Sequence, residues 1–188
     1  MRVRLVDGAG LAAYGEGIRR VYADAFSAPP WDEDPASAGR YTERLAEDAE
    51  RPGFTAALAL DGDTVRGFAT AWTTPGTLPS GSGSGTGAVA EALGPERFTR
   101  WLCGALKVDE LAVSSHARRT GLGAGLLSAV TRNAPDGRCW LLTSVRAEPA
   151  LRLYRRTGWY RIPVAVPGRA GLTVLLGPGH PAAAGTHP

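Results

Sequence analysis

The sequence predicts a mixed α/β or α+β fold in a single domain, and three observations predict it. The chain has 188 residues, about one domain at roughly 150 residues per domain. Helical apolar periodicity alternates along it with short runs suited to strands. The order reads strand, two helices, three or more strands, then β-α-β-α-β-β. The composition, 44% apolar and 21% charged, is that of an ordinary globular protein. It excludes a disordered chain, a collagen-like fibre and a disulfide scaffold.

Residues 2–6, RVRLV, read as a short edge strand. Leu11, Tyr14, Ile18, Val21, Tyr22 and Ala25 recur at spacings of three and four, which predicts an amphipathic helix over 11–26. Ala28-Pro29-Pro30 ends it, and Trp31-Asp32-Glu33-Asp34-Pro35 follows as an acidic loop with one large aromatic residue. A second helix is expected from about 36 to 50. Residues 54–60 and 65–73 flank the turn residues Asp61-Gly62-Asp63 as a hairpin. Residues 79–87, PSGSGSGTG, alternate Ser and Gly and are expected to be a flexible surface loop. A helix is expected from 95 to about 105 and a strand over 107–113. A further helix, over 121–133, is entered through a glycine-rich turn. Pro135-Asp136-Gly137 is a turn, residues 139–145 a strand, and 149–157 a short helix ended by Gly158. Residues 159–165 and 172–176 suit paired strands. Residues 1–176 thus make the domain, and 177–188, GPGHPAAAGTHP, a disordered tail.

The formal charge of +3 arises from 21 Lys+Arg against 18 Asp+Glu, and Lys107 is the sole lysine. Its distribution is uneven. Residues 1–50 hold 10 acids and 6 bases, whereas 97–169 hold 4 acids and 13 bases. That asymmetry suits two ligands of opposite charge. The arginines are spread over strands and helices without aromatic interleaving, so no nucleic-acid partner is expected. Cys103 and Cys139 stand in apolar surroundings, with no CxxC, and read as buried thiols rather than nucleophiles. His116, His180 and His187 are scattered, so no metal site is expected. No apolar run approaches the roughly 18 residues of a membrane span, and no signal peptide is visible. A cytoplasmic protein is expected, with no membrane partner.

The chemistry concentrates in residues 107–130, KVDELAVSSHARRTGLGAGLLSAV. A strand feeds a loop containing Arg118 and Arg119, then Gly121-Leu122-Gly123-Ala124-Gly125, then an apolar helix. First-turn N–H groups have no partners of their own, and the helix dipole favours an anion beside them. Small residues at 121, 123 and 124 leave room for phosphate oxygens, and two arginines add charge-assisted bonds. A diphosphate is the natural ligand. Leu126 breaks the dinucleotide fingerprint GxGxxG, and Leu126-Leu127 replace the Lys-Ser/Thr of a Walker motif.

These residues resemble the GNAT superfamily of acyl-CoA-dependent N-acetyltransferases. Arg118-Arg119-Thr120-Gly121-Leu122-Gly123 matches its Arg/Gln-x-x-Gly-x-Gly/Ala signature, with Leu111 and Val113 as the upstream LxV. Leu153-Tyr154-Arg155-Arg156-Thr157-Gly158-Trp159 matches its Leu-Tyr-x-x-x-Gly-Phe, with Trp in place of Phe. Where the family often has Asn seven residues before the Tyr, this chain has Ala147. The resemblance is close over about 107–162 and looser over 1–176. It implies a mixed, mostly antiparallel central sheet flanked by helices, with splayed parallel strands at the acyl-CoA site. It also implies acetyl-CoA as co-substrate, held along Leu111, Ala112 and Val113 and wrapped by the N–H groups from Arg119 to Ala124.

The chemistry of acyl transfer then asks for three parts. An acceptor amine must lose a proton, the tetrahedral oxyanion needs donors, and the departing thiolate needs a proton. Tyr154 occupies the family's position for the acid. Glu110, of opposite parity to Leu111 and Val113, is the candidate base, directly or through water, whereas Asp109 is expected to point the other way. In the family the segment after the first helix lines the acceptor cleft. Here Trp31, Asp32 and Glu33 can attract and stack on a cationic amine, whether a small molecule or a peptide. The alternative is a catalytically degenerate acyl-CoA-binding or regulatory module. A monomer or homodimer is expected.

Overall fold

A computed structural model describes residues 1–79, 84–168 and 171–182. In chain order the elements are β1 (Arg2–Val6), α1 (Gly8–Leu11), α2 (Gly15–Phe26), α3 (Ser37–Asp48), β2 (Thr55–Asp61) and β3 (Thr64–Thr73). They continue with α4 (Gly85–Trp101), β4 (Leu106–Val113), α5 (Leu122–Thr131), β5 (Cys139–Ser144), α6 (Glu148–Arg156), β6 (Tyr160–Arg161) and β7 (Leu172–Leu176). The α/β class expected from the sequence is borne out. The chain divides into two compact units, residues 1–72 with 108–132, and residues 73–107 with 133–188.

In the first unit the strand order is β1-β2-β3-β4. β1 runs antiparallel to β2 from Arg2↔Leu60 to Val6↔Ala56. β2 runs antiparallel to β3, with a register shift at Ala59/Leu60 that leaves Arg66 as the extra residue. The apolar stripe of α2 (Ile18, Val21, Tyr22, Phe26) and that of α3 (Tyr41, Leu45) cover Ala56, Leu58, Leu60, Phe68 and Ala112. The three-and-four spacing read in the sequence is therefore the core face of α2. The expected single helix from residue 11 instead begins as α1, a 3-10 turn over Ala12–Tyr14, and then α2. Tyr22 stacks on Tyr41 at 4.5 Å between ring centres, and Tyr41 on Phe68 at 5.6 Å. Asp48 of α3 is buried but doubly paired, its carboxylate accepting from Arg44 Nε at 3.2 Å and from Arg51 Nε at 2.6 Å. Two guanidiniums offset the desolvation of one carboxylate.

α5 packs on β1 and β2, and Gly67 of β3 marks its closest approach. A Cβ there would stand 2.9 Å from the Ala112 carbonyl oxygen and 3.0 Å from Leu126 Cδ1. Only glycine lets the helix lie this near the backbone.

In the second unit the strand order is β5-β7-β6, and both pairs are antiparallel. α4 packs Ala88, Val89, Leu93 and Phe98 against Trp140, Ile162, Val174 and Leu176. Its first half corrects the expectation of a loop to residue 87 and a helix from 95. Ser84 accepts a bond from the Gly87 N–H at 3.0 Å and caps the helix. Gly94, at φ 75, breaks it just before Pro95. The short polar repeat hid a cap followed by an Ala/Val-rich apolar face. Residues 80–83 of that repeat lie outside the described residues. The strand expected over 159–165 shortens to β6. Trp140 donates from Nε1 to Thr74 Oγ1 at 2.8 Å within the core, and the Lys107 ammonium lies 5.9 Å from the centre of the Trp140 ring.

The expected disordered tail is also revised, because Gly177 and His180 are buried, whereas Pro178, Gly179 and Pro181 are exposed; 183–188 lie outside the described residues. His180 is 2% exposed. Its Nε2 stands 2.9 Å from the Trp101 carbonyl, and its Nδ1 lies 3.2 Å from the Ala182 N–H. The carbonyl can only accept and the N–H only donate, so the ring is a neutral Nε2–H tautomer. Among the described residues no helix is long and apolar enough to cross a membrane, and no cluster of His, Cys, Asp and Glu could hold a metal ion.

Two outcomes follow from this packing. In Gly17→Ala the new Cβ would meet Val65 Cγ2 at 2.6 Å. A helical Gly→Ala gains about 1 kcal/mol of propensity, but overpacking costs about 1–3 kcal/mol. Urea denaturation is therefore expected to show a net loss of stability. For His180, burial chiefly, with Arg138 adding to it, lowers the pKa from its ordinary 6.5. A depressed folded-state value means that its stabilisation is complete above pH 6.5 and is lost as pH falls below it. The melting temperature of His180→Gln is expected to fall less between pH 7.5 and 5 than that of the wild type; parallel curves would refute this.

Candidate functional site

The best-formed site lies in the first unit, at the end of β4. After Val113 the chain leaves the sheet with Ser114 N–H bonded to the Arg66 carbonyl at 2.9 Å. The next N–H, of Ser115, is held at 2.6 Å by the Asp24 carboxylate of α2. Thr120 Oγ1 donates to the Ala117 carbonyl at 2.7 Å, closing the turn from within. Arg118 Nε makes a long 3.4 Å bond back to the Val113 carbonyl. One carbonyl expected to meet the pantetheine arm is therefore already engaged.

Arg119 has φ 63 and Gly121 φ 86. Left-handed residues interleaved with ordinary ones turn successive N–H groups toward one side, which makes an anion-binding concavity. Gly121 is the N-cap of α5, with no side-chain cap bond. The first intrahelical bond observed there is from Gly125 N–H to the Gly121 carbonyl at 3.1 Å, so the N–H groups of Leu122, Gly123 and Ala124 have no helical acceptor. Nothing lies within 4 Å of a Cβ built on Gly121. Arg118, Arg119, Thr120 and Gly121 are exposed, while Leu122 is buried and anchors the helix. Open space, unused N–H groups and exposed guanidiniums together fit a diphosphate. This is the loop read from the sequence, and every residue expected in it is brought together.

The candidate base lies on the same strand. Alternation along β4 predicts opposite faces for Asp109 and Glu110. Arg44 Nη2 is 3.7 Å from Asp109 Oδ2. Arg44 is half exposed, lies 5.4 Å from the Tyr41 ring centre and is braced by Asp48. Burial chiefly, and then Glu110, raises the Tyr41 phenol well above its usual range.

The acidic loop is folded back rather than freely solvated. Trp31 is half-buried and packs edge-on to Phe26 at 5.6 Å. Asp32, at φ 47, is exposed. Glu33 is half-buried. Its N–H bonds the Phe26 carbonyl at 2.9 Å, and its Oε2 accepts from the Tyr22 hydroxyl at 2.9 Å. Asp24, Arg44 and Gly67 were not singled out in the sequence, and Tyr22 was read only as part of the apolar stripe of its helix.

In the second unit Tyr154 stands on α6, 6% exposed, with its ring 6.0 Å from that of Trp159. Its carbonyl accepts from the Trp159 N–H at 2.9 Å, which ties the helix end to the following aromatic residue. α6 begins at Ala147 without a side-chain cap bond, as expected where Asn is missing. Cys139 is buried, and burial pushes its thiol up to about 12, which leaves no nucleophilic thiolate at neutral pH.

Solved structures with this fold are numerous. A GNAT-family protein from Desulfovibrio desulfuricans is 21% identical, with TM-score 0.62, covering 94% of this chain and 97% of its own. Aminoglycoside 6'-acetyltransferase type Ii is 16% identical, with TM-score 0.60 and coverages of 94% and 96%. The PaiA N-acetyltransferase of Thermoplasma acidophilum, solved in complex with coenzyme A, is 11% identical, with TM-score 0.56 and coverages of 94% and 99%. At these identities the likeness establishes the fold. No curated protein matches by sequence. The profile of the acetyltransferase (GNAT) family matches residues 16–159. That span includes both motifs and most of the chain, and by it this protein belongs to the GNAT acetyltransferase family.

Proposed function

We propose that this protein is an acetyl-CoA-dependent N-acetyltransferase that acts on a cationic primary amine by direct transfer in a ternary complex. The observation that carries the reading is the run of unpartnered N–H groups at the start of α5, turned by the left-handed residues Arg119 and Gly121. The backbone from Arg119 to Ala124 would hold the diphosphate, Arg118 and Arg119 would add charge, and Leu111 to Val113 would line the arm. Acetyl-CoA supplies the acyl group. Glu110 takes a proton from the acceptor ammonium, freeing the nitrogen lone pair for attack on the acyl carbon. Tyr154 is assigned, on its motif position, the proton that the departing thiolate accepts as the C–S bond breaks. Trp31, Asp32 and Glu33 form the acceptor side. An acidic first segment and a basic third segment agree with a cationic acceptor and an anionic co-substrate. The uncapped start of α6 at Ala147 favours a second reading, an acyl-CoA-binding module without turnover.

Thiol release from acetyl-CoA across a panel of amines separates the two. Turnover is expected with cationic primary amines and little with amines that carry a carboxylate, whereas binding without turnover of any amine would support the module. Tyr154→Phe is expected to lower kcat about a hundredfold while the affinity for acetyl-CoA stays unchanged. Unchanged turnover would remove Tyr154 from the acid role. Gly123→Val crowds the N–H cradle and is expected to weaken acetyl-CoA binding about tenfold. A folded variant that binds normally would overturn the cradle.

A further inference from the structure

Of the three carboxylates in the loop after α2, one is built differently from the others. Asp32 is exposed, and Asp34 spends Oδ1 on the Ala36 N–H at 2.7 Å. Glu33 is held twice, through its own N–H on the Phe26 carbonyl and through Oε2 on the Tyr22 hydroxyl. Tyr22 is itself immobile. It is 7% exposed, stacked on Tyr41 and tilted against Phe26, with both ring centres 4.5 Å away. A phenol facing a carboxylate can only donate. Burial foremost, then Glu110 and Glu33, raises this phenol far above its ordinary range, so it stays a donor at any working pH. One oxygen of Glu33 is taken by that hydroxyl, and Oε1 is left for a second donor. An unsupported glutamate side chain must surrender rotamer freedom worth up to about 2 kcal/mol when it binds; this one is already ordered.

We infer that Tyr22 is a positioning residue for the acceptor: its buried hydroxyl aims Glu33 so that the free carboxylate oxygen takes the primary ammonium group. This rests on the reading of Glu33 as an acceptor ligand. Within that reading it makes Glu33 the direct ligand of the ammonium group. The recognised chemistry is an unhindered –NH3⁺ group, because a single ordered carboxylate oxygen suits a small cation with several N–H donors.

The test uses the full chain labelled with 13C at tyrosine Cζ and titrated with n-butylammonium chloride, with sodium butyrate as the charge control at constant ionic strength. Tyr22→Phe assigns the Tyr22 signal. In the wild type that signal is expected to shift saturably with the ammonium and not with butyrate. Glu33→Gln should move the starting signal and abolish the ammonium response, and Asp34→Asn, which keeps an acceptor oxygen for the Ala36 N–H, should leave both as in the wild type. In Tyr22→Phe the ammonium affinity, read by calorimetry, is expected to fall about tenfold, the loss of one hydrogen bond to a charged group. Unchanged affinity in Tyr22→Phe, with the response still lost in Glu33→Gln, overturns the positioning role and leaves Glu33 as a ligand. Absence of ammonium binding to the wild type, or binding indifferent to Glu33→Gln, overturns the acceptor reading and this inference together.

Discussion

The close approach of α5 to the sheet at Gly67 is the constraint on which the first unit depends. Leu126 and the Ala112 carbonyl occupy the space that any side chain at residue 67 would need. A side chain at residue 67 would push Leu126 of α5 and the Ala112 carbonyl of β4 apart from β3, and both elements lead into the loop between them. The Asp24 carboxylate then fixes the loop between them by holding the Ser115 N–H. With both ends set, the left-handed conformations at Arg119 and Gly121 can be maintained although Arg119 carries a Cβ. A non-glycine residue in that region costs of order 1–3 kcal/mol and persists where its surroundings over-determine it. The cradle is thus a product of packing behind it as much as of its own residues.

Polar groups in the other half of this unit follow a second logic. The α2–α3 core is apolar by composition, yet it carries two tyrosines, a buried aspartate and neighbouring glutamates. Tyr22 donates to Glu33, Asp48 accepts from two arginines, and the hydroxyls of Tyr41 and Thr70 pair with each other. Such pairs contribute little net stability but fix the side chains that make them. The cost falls on conformational freedom, which is what a binding surface needs to lose before its ligand arrives.

Much of this was legible in the sequence. The α2 stripe, the hairpin of β2 and β3, β4 with its glycine-rich exit and the α6 motif all rest on local periodicity or on turn residues, which short windows report well. The start of α4 was hidden because Ser-Gly repeats look the same whether they form coil or a capped helix entrance, and the apolar contacts that decide the matter lie far along the chain. The buried His180 was missed for a similar reason: a Pro/Gly-rich segment gives no local sign that a carbonyl from Trp101 awaits it. At the site itself, the residue types of the cradle could be read directly. The Tyr22–Glu33 bond and the Arg44–Asp109 pair could not, since each joins elements through tertiary geometry.

The solitary lysine acquires a meaning in this setting. The proposed reaction, acyl transfer to an amine, would expose the chain's own surface to the same electrophile. Guanidinium groups stay protonated and are poor nucleophiles, so the arginines that make up the other cationic side chains offer no amine to that electrophile. Lys107, half-buried with its ammonium over the Trp140 ring, is the only side-chain amine present. Amine-directed labelling of lysine therefore reports on a single address, and self-modification of lysine, where it occurs, has one place to accumulate.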